Sequence, residues 1–567
     1  MLLRGEDVRA PSYHPALPHA APFRYNWPDM ELDTTAEEAA SPRTPSIARS
    51  TATMSVLTAL SRVTGYLRIA AIAYAIGADR IADSYNLANN MPNMLYELFA
   101  GGILSSLFIP IFIQYFANKK QDEAWQVASI VLNLTFVGLA AVAILSAVFA
   151  FPLVRLQTLT VPATDAQLAT FFFRFFALQI VFYGFCAIFT GLLNSFRRFA
   201  APMISPLANN IFVIAVILGA YVPLRDTHPQ LALTLLALGT TLGVVVMAAA
   251  QVPSLLRIRP RFTWTLDWRH PAIRRLFILA LPVIGYVLSN MAGLTVQQNL
   301  AFQFEGGVAA WTYAWVFFQL PYGIFAVAIA TAFFPELSEQ WTTGDIEGFK
   351  RNMGMGVRVT SFIILPAAAA LFALSRPVIG LAIQYGRFRP EATRLTAPIL
   401  SFMVLGLLSY AVYMFMTKAF YSIQDTKTPL KTNALGVPLN VILNLIFVRF
   451  LAVRGLALGL ALTYTFTGVT LLLLMRRRIG HIGGRQLAVS LARQLAAAAL
   501  FAGIAYGASS LISELALPLR LTYLLQVTIG GSLGLLAYLG LSYALGSEEL
   551  RVAADKLGGA LRRRVGK

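Results

Sequence analysis

Two arginines interrupt an otherwise apolar stretch near the start of the chain. The segment SRVTGYLR, at residues 61–68, places Arg62 and Arg68 six residues apart. On an α-helix this separation is roughly 120° of rotation and about 9 Å along the axis. A guanidinium in a low-dielectric space forms strong, charge-assisted hydrogen bonds to phosphate. The pair predicts either a cationic cavity for an anion or, close to a helix end, charges that snorkel to the membrane surface.

A polar stripe follows in NLANNMPNMLYELF, at residues 86–99. The spacing i, i+4, i+7, i+11 puts four polar side chains on one helical face, those of Asn86, Asn90, Asn93 and Glu97. Pro92 removes a backbone hydrogen bond within the same stretch. Such amides either bind hydroxyl groups of a ligand, such as a sugar, or join neighbouring helices. Asp83, just before the stripe, is expected to form a salt bridge or to cap a helix.

A proline beside polar residues recurs in a later apolar stretch. Gln319 precedes Pro321 by two residues, and Arg174 is a further cation within apolar sequence. In transporters, interrupted helices with polar side chains line ligand sites near the bilayer midplane. The excess of cations over carboxylates in these stretches favours an anionic ligand.

No arrangement of residues in the sequence supports bond-making chemistry. Paired carboxylates within the apolar stretches, GxSxG, the P-loop pattern and CxxC are absent, and the five histidines have no metal-ligand spacing. Cys186 is the only cysteine, so no intrachain disulfide is expected. The sequence therefore predicts a protein that is not an enzyme and that holds no metal.

The composition requires a membrane protein. The chain has 567 residues, of which 57% are hydrophobic and 13% charged, and its mean hydropathy is +0.65. Soluble proteins carry about 25% charged residues, so a soluble globule of this size could not cover its surface. The net charge of +19 could indicate nucleic acid, but basic loops held on the cytoplasmic side of a membrane explain it. No nucleic-acid partner is expected.

Fourteen apolar stretches are long enough to cross a bilayer as helices, which predicts an all-α integral membrane protein. The second of them covers residues 83–116. The predicted segments are a disordered tail (1–50), a first lobe of six spans (54–253), a basic linker (254–272), a second lobe of six spans (273–475), two further spans (488–546) and a basic tail (547–567). Lys and Arg concentrate in alternate loops, which places both termini in the cytoplasm. The loop at 376–394 departs from this rule, because Arg376, Arg387, Arg389 and Arg394 fall on its outer side.

A repeat relates the two lobes. FIPIFIQYF…QDEAW, from residue 108, is similar to FFPELSEQW…DIEGF about 225 residues later, and NSFRRFAAPMISP has a partner at nearly the same offset in YSIQDTKTPLKTN. An even number of spans in each repeat keeps the two lobes parallel. Such lobes usually face each other across a central site. Chance similarity between apolar segments is the alternative.

The residues 61–112 resemble the opening of the MurJ (MviN) family, lipid II flippases of the multidrug/oligosaccharidyl-lipid/polysaccharide exporter superfamily. FQLPYGIFAVAIATAFFPELS at 318–338, IQYGRF at 383–388 and KAFYSIQDTKTPLK at 418–431 add to the resemblance. It implies two six-helix lobes in a V around a cationic cavity, with the last two spans lining a groove for a polyprenyl tail. The implied activity is transfer of undecaprenyl-pyrophosphate-linked peptidoglycan precursor from the inner to the outer leaflet by alternating access.

The resemblance also assigns roles to residues. Arg62 and Arg68 match two cavity arginines, Asp83 an acidic residue near the outer gate, and Asn93 the asparagine of a Pro-Asn pair. The predicted substrate-binding residues are Arg62, Arg68, Asn86, Asn90, Asn93 and Arg174. The predicted gate or structural residues are Asp83, Pro92, Glu97, Gln319 and Pro321.

Several positions depart from the family pattern. Tyr96 and Val316 stand where the family has basic residues, Gly101 replaces a glutamate, and Ile69 replaces an aspartate. Either the chain is a divergent member that contacts pyrophosphate through Arg62, Arg68 and Arg174, or its cargo differs from lipid II.

The sequence thus predicts a lipid II flippase of the bacterial inner membrane. A flippase or exporter for another polyprenyl-linked glycan or a drug is one alternative, and a non-transporting scaffold for cell-wall synthesis is another. No cofactor is expected, and membrane potential or an ion gradient could drive the cycle. The expected partners are the lipid-linked anion, membrane lipids and cell-wall synthesis or division proteins, and the expected state is a monomer.

Overall fold

The computed structural model describes residues 47–101, 121–196 and 198–550, and these residues form helices without a β-strand. The predicted all-α class is confirmed. The predicted tails at 1–50 and 547–567 lie mostly outside the described residues. The helices are α1 (Ile47–Ile76), α2 (Arg80–Tyr96), α3 (Gln121–Val148), α4 (Ala150–Leu156), α5 (Gln167–Phe176), α6 (Gln179–Ser195), α7 (Ala200–Val216), α8 (Pro229–Ala249), α9 (Val252–Leu256), α10 (Pro271–Phe302), α11 (Gly307–Pro321), α12 (Val327–Thr343), α13 (Ile346–Ala373), α14 (Ser375–Ile383), α15 (Pro390–Val404), α16 (Leu407–Ser422), α17 (Lys427–Leu451), α18 (Val453–Ile479), α19 (Gly484–Ser513), α20 (Leu519–Leu525) and α21 (Gly531–Ala544).

Nine helices in the described part of the chain are long and apolar enough to cross a membrane. Two pairs bent by 43° and 47°, α5 with α6 and α15 with α16, would bring the number to eleven. The predicted count of fourteen is not confirmed. One reason is that α2 has 17 residues, fewer than the about 20 that a span needs. The rest of its predicted span, at 102–116, lies outside the described residues.

Three apolar cores show how the two halves of the chain meet. One large core combines buried side chains of both halves, among them Tyr85 and Tyr313. A second core, around Trp125, contains first-half residues alone, and a third, around Phe349, contains second-half residues alone. We call the end of the molecule with the common core the shared end and the opposite end the split end. Within the described residues, the halves thus pack together at the shared end, as in the predicted V.

Asp83 joins the two halves at the shared end. Its fully buried carboxylate accepts hydrogen bonds from the backbone N–H groups of Gly306 (2.7 Å) and Ala309 (2.9 Å). These groups lie at the N-terminus of α11, where unpaired donors and the helix dipole favour an anion. Asp83 therefore does cap a helix, but the helix belongs to the other half. The start of its own helix is capped by Asp79.

Other contacts reinforce this junction. The Tyr313 hydroxyl donates to the carbonyl of Gly77 at 2.7 Å, and Arg80 donates to the carbonyl of Phe302 at 2.6 Å. Gly306 has a φ of +75°, and a side chain there would overlap the carbonyl oxygen of Ala78. Backbone is thus packed closely against backbone where the halves meet.

The two C-terminal spans pack on the second half. A fourth core joins α13 to α19 and α21, with Phe501 and Tyr538 buried in it. The Tyr538 hydroxyl donates to the carbonyl of Phe362 at 2.8 Å. These helices therefore extend the second lobe.

At the split end, one carboxylate fixes the loop before α17. Asp425 accepts hydrogen bonds from the backbone N–H (3.0 Å) and the hydroxyl (2.7 Å) of Thr428 and forms an ion pair with Arg478. Partial burial raises the pKa of Asp425, but these bonds outweigh it, so the pKa lies below its ordinary value.

We expect Asp425→Asn to destabilise this loop in a pH-dependent way. Because the folded-state pKa is lowered, the stabilisation is complete above the unfolded-state pKa of about 3.9 and is lost as pH falls through the folded-state value. Thermal unfolding in detergent should show the variant below wild type at neutral pH, with the difference closing in acid. A difference independent of pH would contradict the assignment.

We also expect Asp83→Asn to weaken the shared end. The substitution removes the charge and sets an amide against two buried N–H donors, which typically costs about 1–3 kcal/mol. The apparent melting temperature should fall by several degrees. Asp165→Asn is the control, because it removes the more exposed carboxylate that pairs with Arg80 at 3.7 Å. Equal melting of the two variants would show that Asp83 does not hold the halves together.

Candidate functional site

Arg62 reaches from the first half of the chain to the second. It lies on α1, and its exposed guanidinium packs against Gly323 so closely that a Cβ at Gly323 would overlap Nη1. The missing side chain at Gly323 therefore makes the space that the guanidinium occupies. Arg62 is 14 residues from Ile76, the last residue of α1, which corresponds to about 21 Å from the shared end.

Neither proline breaks its helix in the structure, but a π-helical turn follows each of them. Pro321 ends α11, and the π-turn Tyr322–Ala326, which contains Gly323, follows at once. In the first half, buried Pro92 is followed by the π-turn Glu97–Gly101. A π-turn inserts an extra residue without ending the helix. Each helix therefore continues through its proline, and in the second half the π-turn rotates the face of the residues that follow it.

Arg68 faces the first half. It lies about 9 Å closer to the shared end than Arg62 on the same helix, and its charge acts on Tyr183 of α6. The Nε atom of Arg68 is buried and has no hydrogen-bond partner among the described residues. A buried donor without an acceptor typically costs about 1–3 kcal/mol. Nε of Arg68 is therefore a buried donor whose hydrogen bond is unmade, and an acceptor that reached it would relieve this cost.

Neither arginine has a counter-ion in the described part of the chain. The ion pairs found there belong to other residues, most of them at the two ends of the molecule. Charges within a membrane protein are costly and normally pair or face water. Arg62 and Arg68 together thus form a cationic region on α1, which Arg62 extends to the second half.

The polar stripe of α2 divides into a buried part and an open part. Asn86 is buried, donates to the carbonyl of Ala82 at 2.8 Å and also hydrogen-bonds the Tyr313 side chain of the other half, so its amide serves the fold. Asn90 is partly exposed, and Asn93 is exposed and donates to Oε1 of exposed Glu97 at 3.2 Å. Of the predicted amide ligands, Asn90 and Asn93 are the ones open to a ligand.

Gln319 belongs to an aromatic cluster beside Arg62. Its side chain hydrogen-bonds that of Tyr410, whose ring centroid lies 4.6 Å from those of Tyr322 and Tyr464. The hydroxyl of Tyr322 also interacts electrostatically with the positive charge of Arg62. Counted along their helices from the shared end, Arg62, Asn93 and Gln319 all lie at a depth of roughly 20 Å. The structure therefore brings these three predicted residues to one level.

Arg174 does not join this group in the structure. Its side chain is exposed on the face of α5 opposite Phe172 and Phe176, which are buried. No described contact links it to Arg62 or Arg68, so its predicted role in binding stays a prediction.

Sequence reasoning did not identify Gly323 or the tyrosines around Gln319. A glycine two residues after a membrane proline was a usable signal for a π-turn with a gap beside it. The tyrosines lie in apolar stretches, where spacing alone does not show which face meets Arg62.

Tyr96, which stands where the resembled family has a basic residue, lies beside Tyr183. Its ring centroid is 6.0 Å from that of Tyr183, the tyrosine that faces Arg68. Two tyrosines thus lie in the first half at the place where the resemblance predicts a further basic side chain. Val316 is partly exposed on α11 and brings no polar group.

Comparisons with known proteins agree on one family. The family profile "Lipid II flippase MurJ" matches residues 72–525. The "Probable lipid II flippase MurJ" of Rhizobium meliloti (strain 1021) is 30% identical over 426 residues, 73% of this chain and 77% of that protein. The "Lipid II flippase MurJ" of Burkholderia cenocepacia is 28% identical over 440 residues, 76% of this chain and 84% of that protein.

Solved structures show the same fold. "Lipid II flippase MurJ, inward closed conformation" has a TM-score of 0.70 at 23% identity and covers 86% of this chain and 97% of that one. An inward-facing multidrug resistance MATE family transporter of the MOP superfamily has a TM-score of 0.63 at 16% identity, covering 77% and 99%.

We expect Gly323→Ala to displace the Arg62 guanidinium without unfolding the protein, because the overlapping atoms are the far end of a flexible side chain. Modification of Arg62 by phenylglyoxal, followed by peptide mass spectrometry, should change in rate, while the melting temperature should change little. Gly219→Ala is a matched control, since Gly219 also lies in a π-turn but has no atoms within 4 Å of its would-be Cβ. Identical Arg62 reactivity in the two variants would refute the packing.

Proposed function

This chain belongs to the lipid II flippase MurJ family, and on that basis we propose that it transfers lipid II between the leaflets of the bacterial inner membrane by alternating access. Lipid II here means the undecaprenyl-pyrophosphate-linked peptidoglycan precursor that the sequence resemblance implies. The family is one of transporters, and the chain is a multi-pass inner-membrane protein. We propose further that it makes and breaks no covalent bonds.

The observation that carries the proposal is the unpaired charge of Arg62 and Arg68. Arg62 reaches the second half at Gly323, Arg68 faces the first half, and within the described residues neither has a counter-ion. A pyrophosphate would supply the missing acceptors in a low-dielectric space, where charge-assisted hydrogen bonds are strong. Asn90 and Asn93 lie on the open part of the stripe and could donate to the sugars or the peptide of the headgroup.

The packing of the two halves supports one direction of access. The shared end is closed by Asp83 on the N-terminus of α11 and by the ion pair between Arg387 and Asp226. The basic loops predict that this end faces the periplasm, so the headgroup would enter from the cytoplasmic side. Release would then require the shared end to open, and both termini would lie in the cytoplasm.

The energy source and the assembly are also proposals. We propose that no bound cofactor takes part and that membrane potential or an ion gradient biases the cycle, at about 2.3 kcal/mol per charge moved through 100 mV. A monomer suffices for this mechanism, because both arginines and their surroundings come from one chain. Contacts with cell-wall synthesis or division proteins would be additional. No described contact favours the other proposed cargoes or a scaffold.

We expect Arg62→Ala and Arg68→Ala each to abolish growth support in a strain depleted of its own lipid II flippase. Each substitution removes one of the two cations that would neutralise the pyrophosphate. Arg68→Lys keeps the charge but loses the buried Nε donor, so it should retain partial activity. The measurement is complementation together with leaflet-resolved transfer of lipid II in proteoliposomes.

Arg454→Ala is the control for loss of charge, since Arg454 is an exposed arginine at the start of α18. It should support growth like wild type at equal membrane abundance. Normal transfer by Arg62→Ala and Arg68→Ala would remove the basis of the proposal.

A further inference from the structure

The arginines of segment 376–394 are unexplained by the positive-inside rule. Arg387 has a structural role, because it forms an ion pair with Asp226 at 2.5 Å and its backbone N–H donates to the carbonyl of Tyr74 at 3.0 Å. Arg376 and Arg394 have no such role. Neither forms a hydrogen bond or an ion pair with any residue that the structure describes. Two exposed cations thus stand at the predicted periplasmic end without partners.

Arg376 and Arg394 line one groove at the shared end. The groove encloses about 480 Å³ where the end of α13 and the start of α14 face α15. Its lining contains both arginines and no carboxylate. The other lining side chains are apolar or small, with Phe372, Phe402 and Leu405 forming the apolar floor. The groove is therefore cationic at one part and apolar over the rest.

Helix stability does not explain these positions. Arg376 is the second residue of α14, where the positive end of the helix dipole disfavours a cation. The nearby hydroxyls are already used, since Oγ of Ser401 lies 2.8 Å from Oγ of Ser375. The apolar floor is accessible from outside the protein, since Phe372 is 46% and Leu405 53% exposed. An external ligand with an anionic head and an apolar body matches all of these features.

We propose that this groove binds one anionic phospholipid of the leaflet at the shared end. The phosphate would lie between Arg376 and Arg394, and an acyl chain would cover Phe372, Phe402 and Leu405. Basic pockets between membrane helices bind anionic headgroups through this combination of charge and apolar contact. The site is separate from Arg62 and Arg68, so it can be tested independently of the transported substrate.

The test is native mass spectrometry of the full-length protein in detergent, titrated with phosphatidylglycerol or phosphatidylcholine of the same acyl chains. Wild type should bind one phosphatidylglycerol about tenfold more tightly than phosphatidylcholine, a difference that the two cations would provide. Arg376→Ala with Arg394→Ala should lose this preference. Arg389→Ala with Arg454→Ala removes the same charge from exposed positions outside the groove and should keep it.

A second variant tests the apolar part. Leu405→Gln leaves both arginines in place and should weaken phosphatidylglycerol binding several-fold, whereas millimolar inorganic phosphate should not displace the lipid. Melting temperatures close to wild type would show that the variants fold. Equal binding of the two lipids by wild type, unchanged preference in the groove variant, or displacement by phosphate would each overturn the proposal.

Discussion

The cost of placing arginine charges within a membrane protein governs this structure. A guanidinium within the bilayer needs an anion, water or a polar surface, and Arg62 and Arg68 have no counter-ion among the described residues. The halves therefore cannot close around these two side chains as an apolar core. The need to leave a polar space there accounts for the separate cores of the first and second half and for the exposed end of the amide stripe.

At the shared end, by contrast, the two halves are packed closely together. A buried carboxylate is also costly, and Asp83 offsets part of that cost with hydrogen bonds from two backbone donors at a helix N-terminus of the other half. The bond joins elements more than 200 residues apart in sequence. Because the same contact satisfies a charge and a helix end, opening the shared end requires both to find other partners. That requirement suits a gate with two discrete states.

The π-turns connect these two features. Pro92 and Pro321 each precede a widened turn, and in the second half the helix continues beyond this turn as α12 with its side chains redirected. In the second half the turn presents Gly323 to Arg62, and in the first half it begins at Glu97, the partner of Asn93. A proline followed by a π-turn is thus present in each half, as expected of two related lobes. The repeat matches also fall at corresponding places, since QDEAW and DIEGF each begin a long helix, α3 and α13.

The amino-acid sequence by itself determined the membrane class, the approximate helix positions and the presence of polar groups at Arg62, Arg68 and Asn93. Composition and the lengths of apolar stretches are properties of the sequence itself, so these features can be predicted without knowing the fold. The contact partners of these residues within the fold could not be predicted from local sequence. Which helices meet, and how each is rotated, decides these contacts. Asp83 caps a helix of the other half, Gly323 receives Arg62, Asn86 is buried and Arg174 faces away. Contacts between segments far apart in sequence determine helix pairing and helix rotation, and no local sequence pattern predicts such contacts.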